Sequence, residues 1–288
     1  MKIVLGTAQF GADYGISNLG GKIKKSDVFS ILNEALISGI DTLDTARVYG
    51  DSEEVIGEFS RLKKTDLNVV SKLPACMAVE AESLFQDSLR RLNAPKLYGY
   101  LIHDFASFSK DPAFWDWILT AKKRGLLDKA GFSLYYPEEL DLVLKRGIVP
   151  DMVQLPLNIF DQRFMGYLPA LKRLKIEVYV RSVFLQGLVF LDPEMLQGYF
   201  ANMRSGLRKL RQIAADQGCS VASICMKFVL ANSNVDKVVV GVDSLANLKE
   251  LVIAQGDASQ EIAYMPELLS LRVNDEKMIL PVHWPPRN

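Results

Sequence analysis

The sequence predicts a (β/α)8 barrel of the TIM type, a single domain over residues 1–288. Eight short β-rich runs alternate with helix-patterned stretches along nearly the whole chain. Several of the runs are continuously apolar, as parallel strands covered on both faces must be. No Ser/Gly/Pro-rich linker, low-complexity tract or sequence repeat divides the chain. Eight unbroken β–α steps favour one closed barrel over a doubly wound open sheet. The open sheet would also want a glycine-rich turn after an early strand, and GTAQFG (6–11) lacks the G-x-G-x-x-G spacing.

In order, the first strand is KIVLGTA (2–8). A helix follows at DVFSILNEALISG, with Ser26 expected as its cap, Val28, Ile31, Leu32, Ala35 and Leu36 on one face, and Gly39 ending it. DTLDTA (41–46) is the second strand, and Asp51 or Ser52 opens EEVIGEFSRL with two glutamates in the favourable first turn. LNVVSKL (67–73) precedes a helix at 79–93, and YGYLIHD (98–104) one at 111–124. KAGFSL (129–134) leads to 137–146, and MVQL (152–155) to 164–174. EVYVRS (177–182) is followed by helices at 203–217 and 220–231, and KVVVGV (237–242) by one at 244–254. The tail from 255 to 288 is expected to be irregular, with PVHWPP near its end.

Composition narrows the function. The 288 residues are 49% apolar and 24% charged, which is ordinary for a globular protein. Lys plus Arg equals Asp plus Glu at 34 each, so neither nucleic acid nor an anionic membrane is an expected partner. No apolar run approaches the roughly 18 residues of a membrane span. MKIVLGTAQFG is too short an apolar start for a secretory signal. Cys76, Cys219 and Cys225 cannot all pair and lack metal-ligand spacing, which fits a reducing cytoplasm. Cys219 and Cys225 are expected to pack as small hydrophobes.

Barrel chemistry sits at the C-terminal ends of the strands. Strand 2 ends at Asp44 with Tyr49 on its exit loop, strand 3 at Lys72 and strand 4 at His103. Each is a titratable residue closing an otherwise apolar run. Taken singly, such a lysine is usually solvated and such a histidine structural, but consecutive strands bring these side chains to one rim. Asp44 and Lys72 can neutralise each other, and the positive end is expected to lower the pKa of Tyr49 from about 10. A neutral His103 would orient a substrate oxygen, giving a proton donor and oxyanion site for carbonyl chemistry. No side chain here donates electrons, so a hydride donor must come from outside. Two histidines without a ligand motif disfavour a zinc or manganese hydrolase.

LDTARVYG, VVSKL and YLIHD, in this order, resemble the catalytic tetrad of the aldo-keto reductase family. LGTAQFG, GFS (131–133), VQLPLNIFDQR (153–163) and FLQGLVF (184–190) are similar to that family's pattern too, over about 3 to 243. The resemblance implies a barrel that binds NADP or NAD and reduces aldehydes or ketones. It implies Tyr49 as general acid, tuned by Lys72 and Asp44, with His103 orienting the carbonyl. It also implies a cofactor site: Thr7 on the first loop, and Ser133 and Gln154 on the nicotinamide carboxamide. Arg181 would stand at the nicotinamide, and Ser182 to Gly187, with Leu185 and Gln186, would lie on the loop along the pyrophosphate. Gly241, Asp243, Ser244 and Asn247 would hold the adenosine 2′ end.

Three departures from the pattern carry information. Leu134 stands where the family usually has Asn, which removes one carboxamide hydrogen bond. Arg181 replaces a stacking aromatic; its guanidinium can stack or attract an acidic substrate group, or form a rim salt bridge. No Lys or Arg occupies Gly241, Asp243 or Asn247, and Asp243 would repel a 2′-phosphate or accept from a free ribose hydroxyl, so NAD competes with the family's NADP. Asp13, Tyr14 and Asn18 are candidate polar rim groups, with Trp115 and Trp117 after strand 4 and Trp284 in the tail as further candidates. These favour a small polar or sugar-like carbonyl compound as substrate. The rival reading is a cofactor-binding regulatory subunit without turnover.

Overall fold

The computed structural model describes residues 2–18, 20–256 and 263–285. Eight strands, all parallel, close into a barrel in sequence order. They are β1 (Ile3–Gly6), β2 (Thr42–Asp44), β3 (Asn68–Leu73), β4 (Leu97–Ile102), β5 (Leu127–Ser133), β6 (Met152–Pro156), β7 (Glu177–Arg181) and β8 (Lys237–Gly241). Closure is made where Ile3 to Gly6 pair with Val238 to Gly241. The eight runs read from the sequence are these eight strands, because apolar runs of β-branched residues fit a sheet buried on both faces.

Two cores follow from the alternation of side chains along each strand. Val4, Val70, Leu101, Met152, Tyr179 and Val239 fill the barrel interior. The opposite face packs under the helices, where Val28, Ile31, Leu32, Phe59, Phe85, Phe114 and Ile118 are buried. The main covering helices are Lys25–Ile37, Ser52–Lys63, Ala81–Leu92, Ala113–Lys123, Pro137–Lys145, Leu168–Arg173, Arg204–Asp216, Val221–Leu230 and Leu245–Gly256. Among the described residues, no single helix is long and apolar enough to cross a membrane.

Several local expectations need correction. Ser26 is not the cap of the first long helix: Asp27 and Val28 N–H donate to Lys24 O, so the helix opens before Ser26, inside whose turn it lies. The stretch after β4 holds two helices rather than one. The Asp104 side chain accepts from Ser107 N–H and starts a short Phe105–Lys110 turn, which Asp111 and Pro112 end. The tail is not irregular throughout. Helical turns Met265–Ser270 and Glu276–Ile279 bury Leu268, Met278 and Ile279. Gln162 and Arg163 of the β6 exit loop hold this segment, at Leu269 O (3.2 Å) and the Glu276 carboxylate (2.9 Å). The remaining tail expectations, at 257–262 and 286–288, fall outside the described residues.

Candidate active site

Register places the four titratable strand-end residues. Asp44 lies beside Val70 on β3, and Lys72 is two residues further on, so its side chain points the same way. Lys72 reaches back to Asp44 Oδ1 at 2.7 Å and to Thr45 O at 2.7 Å. Lysine and aspartate are 1% and 3% exposed, so each charge is out of water and must be met by the other. Gln154 closes the pair, donating to Asp44 Oδ2 at 2.7 Å. Gln154, expected on a carboxamide, thus also belongs to the carboxylate, with its amide oxygen left to meet a ligand.

Tyr49 stands above this pair, with Lys72 Nζ 5.2 Å from its ring centroid. Its loop turns tightly at Gly50, which has φ of +57° and lies against Gly11 O, where a Cβ would come to 2.1 Å. The β1 and β2 exit loops are therefore packed backbone to backbone, and Tyr49 is fixed between them. His103 faces Tyr49 edge-on, ring centroids 6.3 Å apart.

The electrostatics amend the expectation for the tyrosine. Burial holds the Tyr49 hydroxyl well above the ordinary tyrosine value; Asp44 adds to the rise and Arg181 opposes it. The expected lowering of Tyr49 by the Lys72–Asp44 pair is thus reversed, burial outweighing the cations around the hydroxyl. Burial also lowers Lys72 against the pull of Asp44. His103 is pushed down to about 3, chiefly by burial and then by the charges of Lys72 and Arg181, so its imidazole is neutral at physiological pH.

Asp44, Tyr49 and His103 line one cleft together with Thr7, Ser133, Gln154, Arg181, Ser182, Gln186, Gly187, Gly241, Asp243 and Asn247. Three sequence-derived candidates are placed elsewhere. Lys72 lies beneath the floor, Leu185 is fully buried, and Ser244 Oγ accepts from Asn247 N–H as a helix cap. Leu134 is likewise buried in the core. Of the rim candidates, Tyr14 and Asn18 line the cleft. Trp115 stacks on Phe132, Trp117 donates to Glu82, and Trp284 packs on Phe200; none lines the cleft. Arg181 forms no salt bridge among the described residues; its guanidinium stacks on Tyr135 at 4.1 Å and donates to Leu134 O.

The loop after β7 has unusual backbone. Ser182, Leu185 and Gln186 have φ of +61°, +45° and +50°, a region disfavoured for side chains bearing a Cβ. Gly187 follows at +93°, with Ser17 so close that a Cβ would overlap its hydroxyl. The loop is tied to the β1 exit by Ile16 N–H to Gln186 O (2.8 Å) and by the Gln186 amide to Tyr14 OH (3.1 Å). Strain of this kind persists only where surroundings enforce it, and it is concentrated at ligand sites. Near its far end the cleft holds Gln9, whose Oε1 is buried without a partner among the described residues and stands against Gly241. A ligand donor there would satisfy it. An extended groove, strained backbone and an orphaned acceptor fit a dinucleotide.

Sequence reading missed Gln9, Ser17, Tyr135 and Phe190 as cleft residues. Gln9 carried a signal, lying two residues past Thr7 at the β1 exit. The others come from loops whose path no periodicity reveals.

The model of the aldo/keto reductase family matches residues 2–258. The uncharacterized oxidoreductase YqkF of Bacillus subtilis is 26% identical over 277 residues, covering 87% of this chain and 89% of the relative. Aldo-keto reductase AKR11C1 from Bacillus halodurans, solved in its holo form, superposes with a TM-score of 0.76 at 20% identity, covering 93% of this chain and 91% of that one. The thermostable aldo-keto reductase Tm1743 gives 0.72 at 21% identity, covering 94% and 95%. These structural likenesses establish the shared fold.

Proposed function

The chain belongs to the aldo/keto reductase family and is an NAD(P)-dependent oxidoreductase, and we propose that it interconverts a small polar carbonyl compound and its alcohol with Tyr49 as proton donor. The observation that carries this reading is the neutralised Lys72–Asp44 pair beneath a protonated Tyr49, with a neutral His103 facing it across one cleft. The dinucleotide, when bound, supplies or accepts the hydride.

The chain's own residues handle the oxygen. His103, uncharged, presents a ring N–H that orients the carbonyl. Tyr49 keeps its proton in the resting site and releases it only as negative charge develops on the substrate oxygen. The tyrosinate so formed lies near Lys72 and within the field of Arg181, and solvent returns the proton. Ser133, next to Gln154 in register, and Gln154 are the groups to hold a carboxamide. The strained Ser182–Gly187 backbone lines the path of the pyrophosphate. Gly241, Asp243 and Asn247 receive the adenosine end.

NAD is the better fit at that end. Asp243 accepts from the Asn247 amide, and Lys249, which adjoins them in sequence, is turned toward Glu34 at 3.9 Å. Arg181 is the single Lys or Arg among the described cleft residues. It is directed toward Leu134 and Tyr135, on the β5 side.

Tyr49→Phe tests the mechanism. Its hydride transfer, followed by NADH absorbance on an aldehyde panel, should fall by about 10²–10⁴-fold, while calorimetry shows NADH binding within a few-fold of wild type. Near-normal turnover would refute the role of Tyr49. Wild-type protein that binds dinucleotide but turns over no carbonyl would favour the regulatory-subunit reading.

A further inference from the structure

We propose that Arg181 anchors the substrate, and that the carbonyl compounds this enzyme acts on carry an anionic group, a carboxylate, which Arg181 binds while the carbonyl lies at Tyr49 and His103. The inference rests on the carbonyl reading above.

Arg181 is held ready for a ligand. Nη2 donates to Leu134 O at 3.0 Å, Nη1 to Ser182 Oγ at 3.2 Å, and the guanidinium plane covers Tyr135. Two of its five N–H donors are thus used, both on neutral acceptors, and the fork is fixed in direction. No carboxylate of the described residues comes within salt-bridge distance of it. Of the other partly buried arginines, Arg163 meets Asp161 and Glu276 and Arg91 meets Asp87, while Arg204 and Arg211 donate to backbone carbonyls but lie outside the cleft. Glu139 feels the Arg181 charge, but its Oε2 already accepts from Tyr135 and Tyr136 N–H at 2.7 and 3.0 Å.

The charge balance at this end of the cleft is therefore simple. Asp44 is cancelled by Lys72 and His103 is neutral, which leaves Arg181 as the uncompensated charge. Its field reaches both reacting side chains, since it draws down Tyr49 and His103 alike. A half-buried guanidinium gains most from a carboxylate, which its fork meets with paired, charge-assisted hydrogen bonds. The pyrophosphate of the dinucleotide offers the same anionic oxygens, and the experiment separates the two sources.

The test compares 4-carboxybenzaldehyde with its methyl ester, using NADH, in wild type, Arg181→Gln and Arg181→Lys. Wild type should favour the acid in kcat/KM by about tenfold or more, the scale of a charged hydrogen-bonded contact. Arg181→Gln should bring the acid-to-ester ratio to about one, and Arg181→Lys should retain part of the preference. If Arg181→Gln does not fold, Arg181→Lys and salt carry the test. The wild-type ratio should then fall between about 0.05 M and about 0.5 M salt. A wild-type ratio near one overturns the inference, as does a ratio unchanged in Arg181→Gln. An unchanged ratio with NADH Kd raised tenfold or more assigns Arg181 to the pyrophosphate instead. Turnover of both aldehydes with equal efficiency defeats this inference alone. Turnover of neither, with NADH or NADPH, defeats the carbonyl reading and this inference with it.

Discussion

Lys72 and Asp44 show why two charges can sit at the floor of an apolar barrel. Each is buried, and each has the other plus a neutral partner, Thr45 O for the lysine and Gln154 for the aspartate. Removing one partner strands the other. Lys72→Met should therefore destabilise the protein by about 3–5 kcal/mol, measured by urea unfolding. The double change Lys72→Met with Asp44→Asn should recover much of that stability without restoring turnover, which separates the fold from the chemistry. His103 supplies a pH dependence. Its folded pKa, about 3, lies below the ordinary histidine value near 6.5, so between those limits the unfolded chain binds the extra proton. The contribution of His103 to stability is complete above about 6.5 and is lost as pH falls toward 3, at up to about 1.4 kcal/mol per pH unit. Unfolding midpoints at several pH values should show this slope in wild type and a shallower one in His103→Gln. The candidate residues were legible in the sequence because each interrupts an apolar strand end. Their protonation was not, because the sequence does not report how deep a hydroxyl or imidazole lies.

At the scale of elements, the β7 exit loop is the part least explained by its own sequence. Four consecutive or near-consecutive positive-φ residues do not hold themselves in place. Asn158 on the β6 exit loop supplies the restraint, donating to Ser182 O at 3.0 Å. Its Oδ1 meanwhile accepts from Phe160 and Asp161 N–H at 2.9 and 2.8 Å. Asn158→Ala should leave those buried backbone groups unpaired, costing about 1–3 kcal/mol. It should also release the loop and raise the NADH Kd by about tenfold, as measured by calorimetry, if the loop carries the pyrophosphate. An unchanged Kd would mean that Gly187 and the β1 exit loop suffice to hold it. The strands and most helices were readable because period and cap residues act locally. The split helix at Asp111–Pro112, the early start at Lys25 and the helical turns of the tail were not. The tail turns depend on a contact across the fold, Gln162 with Leu269, the split helix on the Asp104 cap, and the early start has no side-chain cap to mark it.

Across the whole molecule, formal charge is balanced, yet the cleft is polarised. Arg181 stands on the Tyr49 and His103 side, and Asp243 at the β8 end, with neutral strained backbone between them. With the dinucleotide bound as proposed, that arrangement would discriminate between NADH and NADPH by charge. In the proposed binding mode NADH would place ribose hydroxyls near Asp243, which can accept from them, whereas NADPH would bring a phosphate dianion toward a carboxylate, with Arg181, the one Lys or Arg among the described cleft residues, on the Tyr49 side. Because the proposed dinucleotide site spans loops after β1, β5, β6, β7 and β8, the binding energy should appear as stability of the whole barrel. NADH at about 100 times its Kd should stabilise the folded chain by about 2.7 kcal/mol. The same concentration of NADPH should give a clearly smaller shift in unfolding midpoint. Asp243→Asn should narrow the difference by removing the repulsion, and Asp243→Lys should reverse it. Equal stabilisation of wild type by NADH and NADPH would show that the 2′ position lies beyond the reach of Asp243.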